Sequence, residues 1–191
     1  APHQIVIVPI IPNDKDKDSV MKVVNQLNDS LSEFRVIIDD RSEVSPGFKF
    51  NEWEQKGVPL RVEVGPKDIE KNTILVSRRD DESKNSYPMD DVQNTIKKLL
   101  DEIQDNLYKN SENTLKENTT HVESFSELIE VLNSKKGFVS CFWKENKEDE
   151  LKIKEETTAT LRCYPLENTD SEKAVNSDSE NGNFAIFSKA Y

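Results

Sequence analysis

The sequence predicts an α/β protein in which a mixed five-stranded sheet with three helices is followed by a small α+β domain. Residues 5–10, IVIVPI, form a continuous apolar run, which is typical of a strand buried on both faces of a parallel sheet. Apolar residues then recur at helical spacing through residues 20–31, and a second apolar run follows at 34–39. Strand, helix and strand in this order indicate a βαβ unit.

The remaining elements of the first domain are predicted from residues that end helices and from the spacing of apolar residues. We expect a helix over 48–55, because Gly57 and Pro59 end it, and a strand over 60–65, where apolar and charged residues alternate. The next segments are a GPKD turn, a strand in NTILVSRRD and a short edge strand after the polar residues 80–86. An apolar stripe from Asp90 onward predicts the last helix, so the domain covers residues 1–110.

Residues 111–123 are predicted to be a linker, although residues 109–120 could also extend the last helix, and residues 124–191 are predicted to be a second domain. Ser124 and Glu127 have capping-box spacing before a helix. Strands are expected at 137–143, 160–166 and 183–191, with a short charged helix before the second of them, whereas the polar residues 167–182 are expected to be mobile. The predicted core of this domain consists of large apolar side chains: Phe138, Phe142, Trp143, Leu161, Phe184 and Phe187.

Composition narrows the function. No apolar run reaches ~18 residues, which argues against a transmembrane helix, and no basic region precedes the first apolar run, which argues against a signal peptide. The chain lacks an initiator Met and enters a strand almost at once, so we expect a piece of a longer protein. Two cysteines favour a reducing compartment. A net charge of -11 argues against nucleic-acid binding but does not exclude it, because the charge is unevenly spread.

The sequence contains few residues in arrangements typical of a catalytic or metal site. His3 and His121 lack a neighbouring nucleophile or acid, and five glycines form no phosphate loop. Asp39 and Asp40 could be an acid/base or metal pair, but adjacent strand residues point in opposite directions. Cys141 and Cys163 stand alone, which favours buried strand residues over zinc ligands.

The stretch 37–68 between two predicted strands is dense in charged and aromatic residues. A solvated face with ordinary ion pairs is one interpretation. Recognition of an RNA loop is the other, since single-stranded loops are read by base-edge hydrogen bonds and aromatic stacking. Arg41 and Lys49 could donate to guanine or phosphate, carboxylates could accept from base amino groups, and Pro46-Gly47 makes a tight turn before the aromatic run.

The motifs in this stretch and elsewhere resemble prolyl-tRNA synthetase of the eukaryotic and archaeal type. The resemblance covers nearly the whole chain, and the block that begins at Pro46 is specific. The segments that carry it are VIVPI (6–10), DDR (39–41), PGFKFNEWEQKGVPLRVEVGPKD (46–68), ILVSRRD (74–80), KEETTATLRCYPLE (154–167) and FSKAY (187–191). It implies the anticodon-binding fold shared by several class II synthetases.

The resemblance also implies a function. Enzymes of this family join proline to its tRNA through a prolyl-adenylate with ATP and Mg²⁺, as cytoplasmic homodimers. The catalytic domain would precede Ala1, so this fragment alone is expected to have no ligase activity, no cofactor, and no DNA or membrane partner. The anticodon domain would read the two guanines of the proline anticodons on tRNA(Pro). The candidate anticodon-contacting residues on matching positions are Asp40, Arg41, Glu43, Pro46, Phe48, Lys49, Phe50, Glu52 and Lys56. Phe48 or Phe50 is expected to stack on a base, and Trp53 to pack under the loop.

The C-terminal domain departs from the family in one respect. Its zinc cysteines are replaced near Trp143-Lys144, Asp149-Glu150 and NSDSENG, so we predict no metal here. Tyr191 keeps the family's terminal tyrosine, whose carboxylate lies toward the catalytic domain, although a simple strand end is the alternative. Two rival functions remain: a stand-alone protein-interaction domain of the same fold without RNA binding, and a small-molecule enzyme using Asp39 or Asp40.

Overall fold

The computed structural model describes residues 1–168 and 170–190 and divides into two compact units. The first unit covers Ala1–Lys109, and the second begins at Asn110. Within the described residues, no helix combines the length and the apolar character needed to cross a membrane.

The first unit contains a mixed sheet of five strands, as the sequence predicts. The strand order is β2-β1-β3-β4-β5, with β1 parallel to both of its neighbours and with β4 antiparallel to β3 and β5. A single 3-10 turn at Asp14–Asp16 precedes the first helix. The elements are β1 Ile5–Pro9, α1 Lys17–Ser30, β2 Val36–Ile38, α2 Pro46–Gln55, β3 Leu60–Val64, α3 Pro66–Glu70, β4 Thr73–Arg78, β5 Lys84–Pro88 and α4 Val92–Glu117, which continues past the last residue of this unit, Lys109.

Helices cover both faces of this sheet, which explains the continuous apolar run in β1. Ile5 and Ile7 pack with the apolar stripes of α1 and α4. Val6 and Val8 point to the opposite face, where they pack with Trp53 of α2. Because successive side chains of a strand alternate between faces, every residue of β1 is buried.

Two helices differ from or refine the sequence-based expectations. The GPKD segment is the start of a fourth helix, α3, because Pro66 suits a first helical position and the Asp68 carboxylate accepts from the Gly65 N–H at 2.9 Å. Helix α4 also continues through the first seven residues of the predicted linker, 111–123. No glycine or proline interrupts that segment, and Lys116 pairs with Glu112 at 3.0 Å, one helical turn away.

The second unit is α+β, as predicted. Its sheet has the order β6-β7-β10-β8, with β9 also pairing with β10. All of its pairings are antiparallel except β6 with β7. The elements are β6 Thr119–His121, α5 Phe125–Ser134, β7 Phe138–Trp143, α6 Lys147–Thr157, β8 Ala159–Cys163, β9 Ser171–Lys173 and β10 Asn181–Lys189.

Strand alternation divides the predicted core of this unit between two faces. Trp143 and Phe187 are buried beside α5 and α6, and Leu161 packs against them. Phe142 and Phe184 are cross-strand partners on the other face, where both contact the ring of His121. Phe138 is exposed. The prediction of a single six-residue core was therefore wrong for these three phenylalanines, because it ignored the two-residue period of β7 and β10.

Part of the polar stretch 167–182, which was expected to be mobile, instead pairs with the second sheet. Residues of β9 pair with β10, Ala174 is buried, and the Val175 N–H donates to the Phe142 carbonyl at 2.8 Å. Gly182 permits this arrangement, since a Cβ there would lie 2.3 Å from the Trp143 carbonyl carbon. Backbone pairing, together with the packing of Ala174 and Val175, holds this segment.

Candidate nucleic-acid interface

Helix α2 carries most of the residues that the sequence singles out. The Ser45 side chain accepts from the Phe48 N–H at the start of the helix, and Pro46 occupies its first turn. Gly57, at a φ of 77°, follows its C-terminal end. The helix buries Lys49 and Trp53 against the sheet, whereas Phe48 on another side is 55% exposed. Trp53 thus packs under the loop, as predicted.

The buried carboxylate of Asp39 fixes α2 to the end of β2. It accepts from the Trp53 indole Nε1 at 2.8 Å and from Arg41 Nε and Nη2 at 2.8 and 2.7 Å. The Arg41 hydrogen bonds are the largest cause that lowers the pKa of Asp39 to about 2, against a desolvation that raises it. Lys49 Nζ donates to the Asp39 backbone carbonyl at 3.0 Å. We call Asp39, Arg41, Lys49 and Trp53 the Asp39 network.

Two more predicted residues extend this network outward. Glu52 accepts from Arg41 Nη2 and from Lys56 Nζ, each at 2.6 Å. These two cations, Lys56 first, lower the pKa of Glu52. Asp39 and Glu52 in turn raise the pKa of Arg41 above its ordinary value. The structure therefore brings Arg41, Lys49, Glu52 and Lys56 together, but largely in contact with one another or with Asp39.

The remaining predicted residues are distributed around α2. Asp40, Glu43, Pro46 and Phe48 are all exposed. Phe50 is half-buried on the side of α2 that faces Arg61 and the strands β3 and β5. Tyr191 lies outside the described residues.

A cavity beside Phe50, which we call the Phe50 cavity, was not predicted from the sequence. It has a volume of about 810 Å³ and is bordered by α2, the start of β3, the end of β4, the start of β5, and α4. Four cations line it, together with carboxylates and one apolar residue. Its lining residues are Asn51, Glu54, Gln55, Arg61, Ser77, Arg78, Arg79, Asp80, Glu82, Lys84 and Leu107.

Two cations, Arg61 and Lys84, lie over the Phe50 ring, and each of them pairs with a carboxylate. The Arg61 guanidinium carbon lies 4.0 Å from the ring centroid, and Lys84 Nζ lies 5.7 Å from it. Arg61 donates to Glu54 at 2.9 Å and to Glu63 at 3.1 Å, while Lys84 pairs with Glu63 at 2.9 Å. Glu54 and Lys84 keep about half of their side chains exposed, at 53% and 43%. An aromatic ring with accessible donors and acceptors can stack on a base and hydrogen-bond its edge.

The opposite wall of the Phe50 cavity is braced by Arg78. Its guanidinium contacts Asp80 at 2.8 Å and Glu102 of α4 at 2.9 Å, and Asn106 donates to Asp80 at 2.8 Å. The hydrogen bond from Arg78 is the largest cause that lowers the pKa of Asp80. Since Arg78 is already saturated with carboxylates, it orders the wall, whereas Arg79 makes one bond, to the Glu54 carbonyl at 3.0 Å.

In the second unit, the positions that replace the expected zinc cysteines form a polar cluster. Asn176 Oδ1 accepts from the Lys144 N–H at 3.0 Å, and its Nδ2 donates to the Lys144 carbonyl and to Asp149 at 2.9 and 3.0 Å. Lys144 also pairs with Glu180. In the part of the chain that the structure describes, no three His, Cys, Asp or Glu residues are grouped as a metal site.

Comparisons with known proteins match both units. The family model described as anticodon binding domain matches residues 4–99, and the one described as prolyl-tRNA synthetase, C-terminal, matches residues 125–191. A proline–tRNA ligase of Roseiflexus sp. (strain RS-1) is 41% identical to the chain over 100% of the chain and 40% of the relative's length. A proline–tRNA ligase of Alkaliphilus oremlandii is 44% identical over 87% of the chain and 34% of its own length. Proline–tRNA ligase 2 of Clostridioides difficile is 41% identical over 100% of the chain and 40% of its own length. The chain spans about two fifths or less of the length of these relatives.

Proposed function

The chain belongs to the anticodon-binding domain family and carries a prolyl-tRNA synthetase C-terminal region, and from this premise we propose that its first unit binds the anticodon loop of tRNA(Pro). One observation carries the proposal. Arg61, Glu54 and Lys84 line an 810 Å³ cavity, and the Phe50 ring lies next to this lining, in contact with Arg61 and Lys84, so an aromatic ring and edge-recognising groups lie close together. That combination is how proteins read unstacked RNA bases.

The charge pattern of the Phe50 cavity suits guanine. Guanine offers O6 and N7 as acceptors, which lysine and arginine recognise, and its amino group can donate to a carboxylate. Lys84 and Glu54 are the accessible cation and carboxylate, while Arg61 is held between Glu54, Glu63 and Ser77. We propose that Lys84 and Glu54 contact the base edge and that Arg61 keeps the Phe50 ring and Glu54 in place.

The sequence-predicted residues have two roles in this proposal. Arg41, Lys49 and Glu52 hold α2 through the Asp39 network, which positions Phe50. Other residues are candidates for contacts to the nucleotides that flank the bases being read, including their phosphates. These are the exposed Asp40, Glu43, Pro46 and Phe48, and Lys56, whose side chain is 48% exposed.

For the longer protein we propose proline–tRNA ligase activity, by analogy with the names of its relatives. In that proposal ATP and Mg²⁺ act in a catalytic domain outside these residues, and the enzyme is a cytoplasmic homodimer. Tyr191 would support the catalytic domain.

Binding of an anticodon stem-loop to this chain, measured by fluorescence anisotropy over a range of salt concentrations, tests the proposal. Glu54→Gln and Lys84→Ala should each weaken binding by about tenfold, an effect of ~1–3 kcal/mol per base contact. Lys84→Ala should also lower the dependence of affinity on salt if a phosphate is contacted. Lys98→Ala is the matched control, because Lys98 is an exposed lysine on α4 that does not line the cavity.

Changing either anticodon guanine to adenine should weaken binding to the unmodified chain by a similar factor. Binding that is insensitive to the guanines and to both cavity variants would reject the proposal. Complete absence of RNA binding would favour the protein-interaction domain that the net charge of -11 suggests.

A further inference from the structure

A second cavity in the first unit lies at the carboxyl ends of β1 and β2, away from the Phe50 cavity. It has a volume of about 370 Å³, within the size range of small-ligand sites. Its lining residues come from the ends of both strands and from the starts of α1 and α2; they include Ile11, Lys17, Asp40, Arg41, Pro46 and Lys49. We call it the switch-point cavity.

Its position follows from the topology of the sheet. Strands β1 and β2 are neighbours and parallel, but the chain leaves β1 for α1 on one face and leaves β2 for α2 on the other. The two connections diverge and open a crevice at the carboxyl edge of the sheet. In open α/β sheets, ligands bind in crevices outside the carboxyl ends of the strands.

The electrostatics of the switch-point cavity favour an anionic group deep inside. Both α1, with 14 residues, and α2, with 10, begin at its wall, and each contributes a positive helix end. Lys49 is only 5% exposed, and among the described residues its ammonium has one hydrogen-bond acceptor, the Asp39 carbonyl, with the Asp39 carboxylate 3.9 Å away. The Lys49 ammonium lines the cavity and can donate to a ligand there in addition to its contacts with Asp39.

The mouth of the cavity has a different character. The carboxylates of Asp14 and Asp40 line it, and they would repel a bare anion but accept hydrogen bonds from hydroxyl groups. Ile11, Met21 and Val44 supply an apolar wall. A ligand that matches all three features has a phosphate, a hydroxylated body and some apolar surface.

We propose that the switch-point cavity binds a ribose phosphate, with the phosphate at Lys49 and the two helix starts and the sugar hydroxyls at Asp14 and Asp40. The ribose phosphate can belong to a nucleotide of the bound RNA or to a free mononucleotide. The first source rests on the proposed function, whereas the second does not.

Titration of the isotope-labelled chain with ribose 5-phosphate, followed by amide NMR shifts, tests the proposal. The Gly47 and Lys17 amides should shift with saturation, whereas that of Ser77 in the Phe50 cavity should not. Lys17→Glu should weaken binding about fivefold through the loss of one charge contact. Lys22→Glu is the matched control, because Lys22 is an exposed lysine on the same helix that does not line the cavity.

Competition with the anticodon stem-loop separates the two sources. If the ribose phosphate belongs to the RNA, ribose 5-phosphate competes with the stem-loop and Lys17→Glu weakens both ligands. If it is a free mononucleotide, both ligands bind together and Lys17→Glu weakens only ribose 5-phosphate. Shifts that are absent, or that spread evenly over the lysines of the surface, would overturn the proposal even where RNA binding at the Phe50 cavity is intact.

Discussion

The Trp53 indole donates to the Asp39 carboxylate at 2.8 Å, and this bond joins α2 to the end of β2. On the solvent side, Arg41 donates two hydrogen bonds to the same carboxylate. A charge that is 3% exposed is tolerated only when it is paired in this way. The helix that carries Phe50 and Glu54 thus has its position set by one buried acid.

Replacing Asp39 by asparagine should destabilise the first unit by about 3 kcal/mol, because the buried Lys49 loses its nearby charge and Arg41 loses its bidentate acceptor. Urea unfolding followed by tryptophan fluorescence measures the change. Asp40→Asn, an exposed neighbour, is the control and should change the free energy of unfolding by less than about 0.5 kcal/mol. Equal effects of the two variants would contradict the assigned role of Asp39.

Acid should weaken the first unit through the same carboxylate. The pKa of Asp39 is about 2 in the folded protein, below its ordinary value of 3.8. A lowered pKa stabilises the fold above the unfolded value, and that stabilisation is lost as the pH falls from 3.8 toward about 2. Asp80, Asp81 and Glu52 act in the same direction.

The free energy of unfolding, measured in urea at a series of pH values, should therefore decline through this window. Asp39→Asn should decline less steeply than the unmodified chain, because the variant has no carboxyl at this position to protonate. Identical slopes for the two proteins would show that Asp39 titrates normally.

Local spacing explains why the sequence drew attention to the residues of the Asp39 network. Asp39, Arg41, Lys49 and Trp53 lie within 15 residues of one another, at the end of a recognisable strand and in a recognisable helix. Charged and aromatic residues concentrated there suggested a functional loop. The sequence could not show that Arg41 and Lys49 bind Asp39, because such pairing depends on how α2 is rotated against the sheet.

The Phe50 cavity could not be predicted from the sequence, for a different reason. Lys84 and Phe50 are far apart in the chain and approach only because β3, β4 and β5 are adjacent. Charged residues at Arg61 and Glu63 predicted an exposed face of β3, but Glu63 is buried there, because strand order and the side on which α2 packs are tertiary features. Most helices and strands of this unit were therefore predictable from the sequence, but the contacts between distant elements that form the Phe50 cavity were not.

A glycine in the second unit is required by close backbone contact. Gly182→Ala would place a Cβ 2.3 Å from the Trp143 carbonyl carbon, so β10 and β7 must separate, at a cost of about 3 kcal/mol or more. Thermal unfolding should show a lower transition temperature. Gly47→Ala is the control, since nothing lies within 4 Å of its Cβ position and alanine favours the helix. A stable Gly182→Ala variant would disprove the contact.

The polar cluster around Asn176 should do the structural work of a metal in the second unit. Asn176→Ala removes three hydrogen bonds and leaves both backbone groups of Lys144 without their partners, so it should destabilise this unit by about 2 kcal/mol. A chelator should leave the transition temperature of the unmodified chain unchanged. One zinc per chain in metal analysis, or unfolding by the chelator, would refute the prediction of a metal-free domain.

The choice between Phe48 and Phe50 as the stacking residue can be made with matched variants. Phe50 lies beside Arg61 and Lys84 at the Phe50 cavity, whereas Phe48 is 55% exposed on another side of α2. Phe50→Leu keeps apolar volume but removes the ring, and should weaken stem-loop binding by about tenfold, since stacking is worth ~1–3 kcal/mol per base. Phe48→Leu should weaken it less. A larger loss of binding in Phe48→Leu than in Phe50→Leu would place the stacked base at the start of α2. Unfolding curves for both variants would show whether either loss of binding reflects a damaged fold.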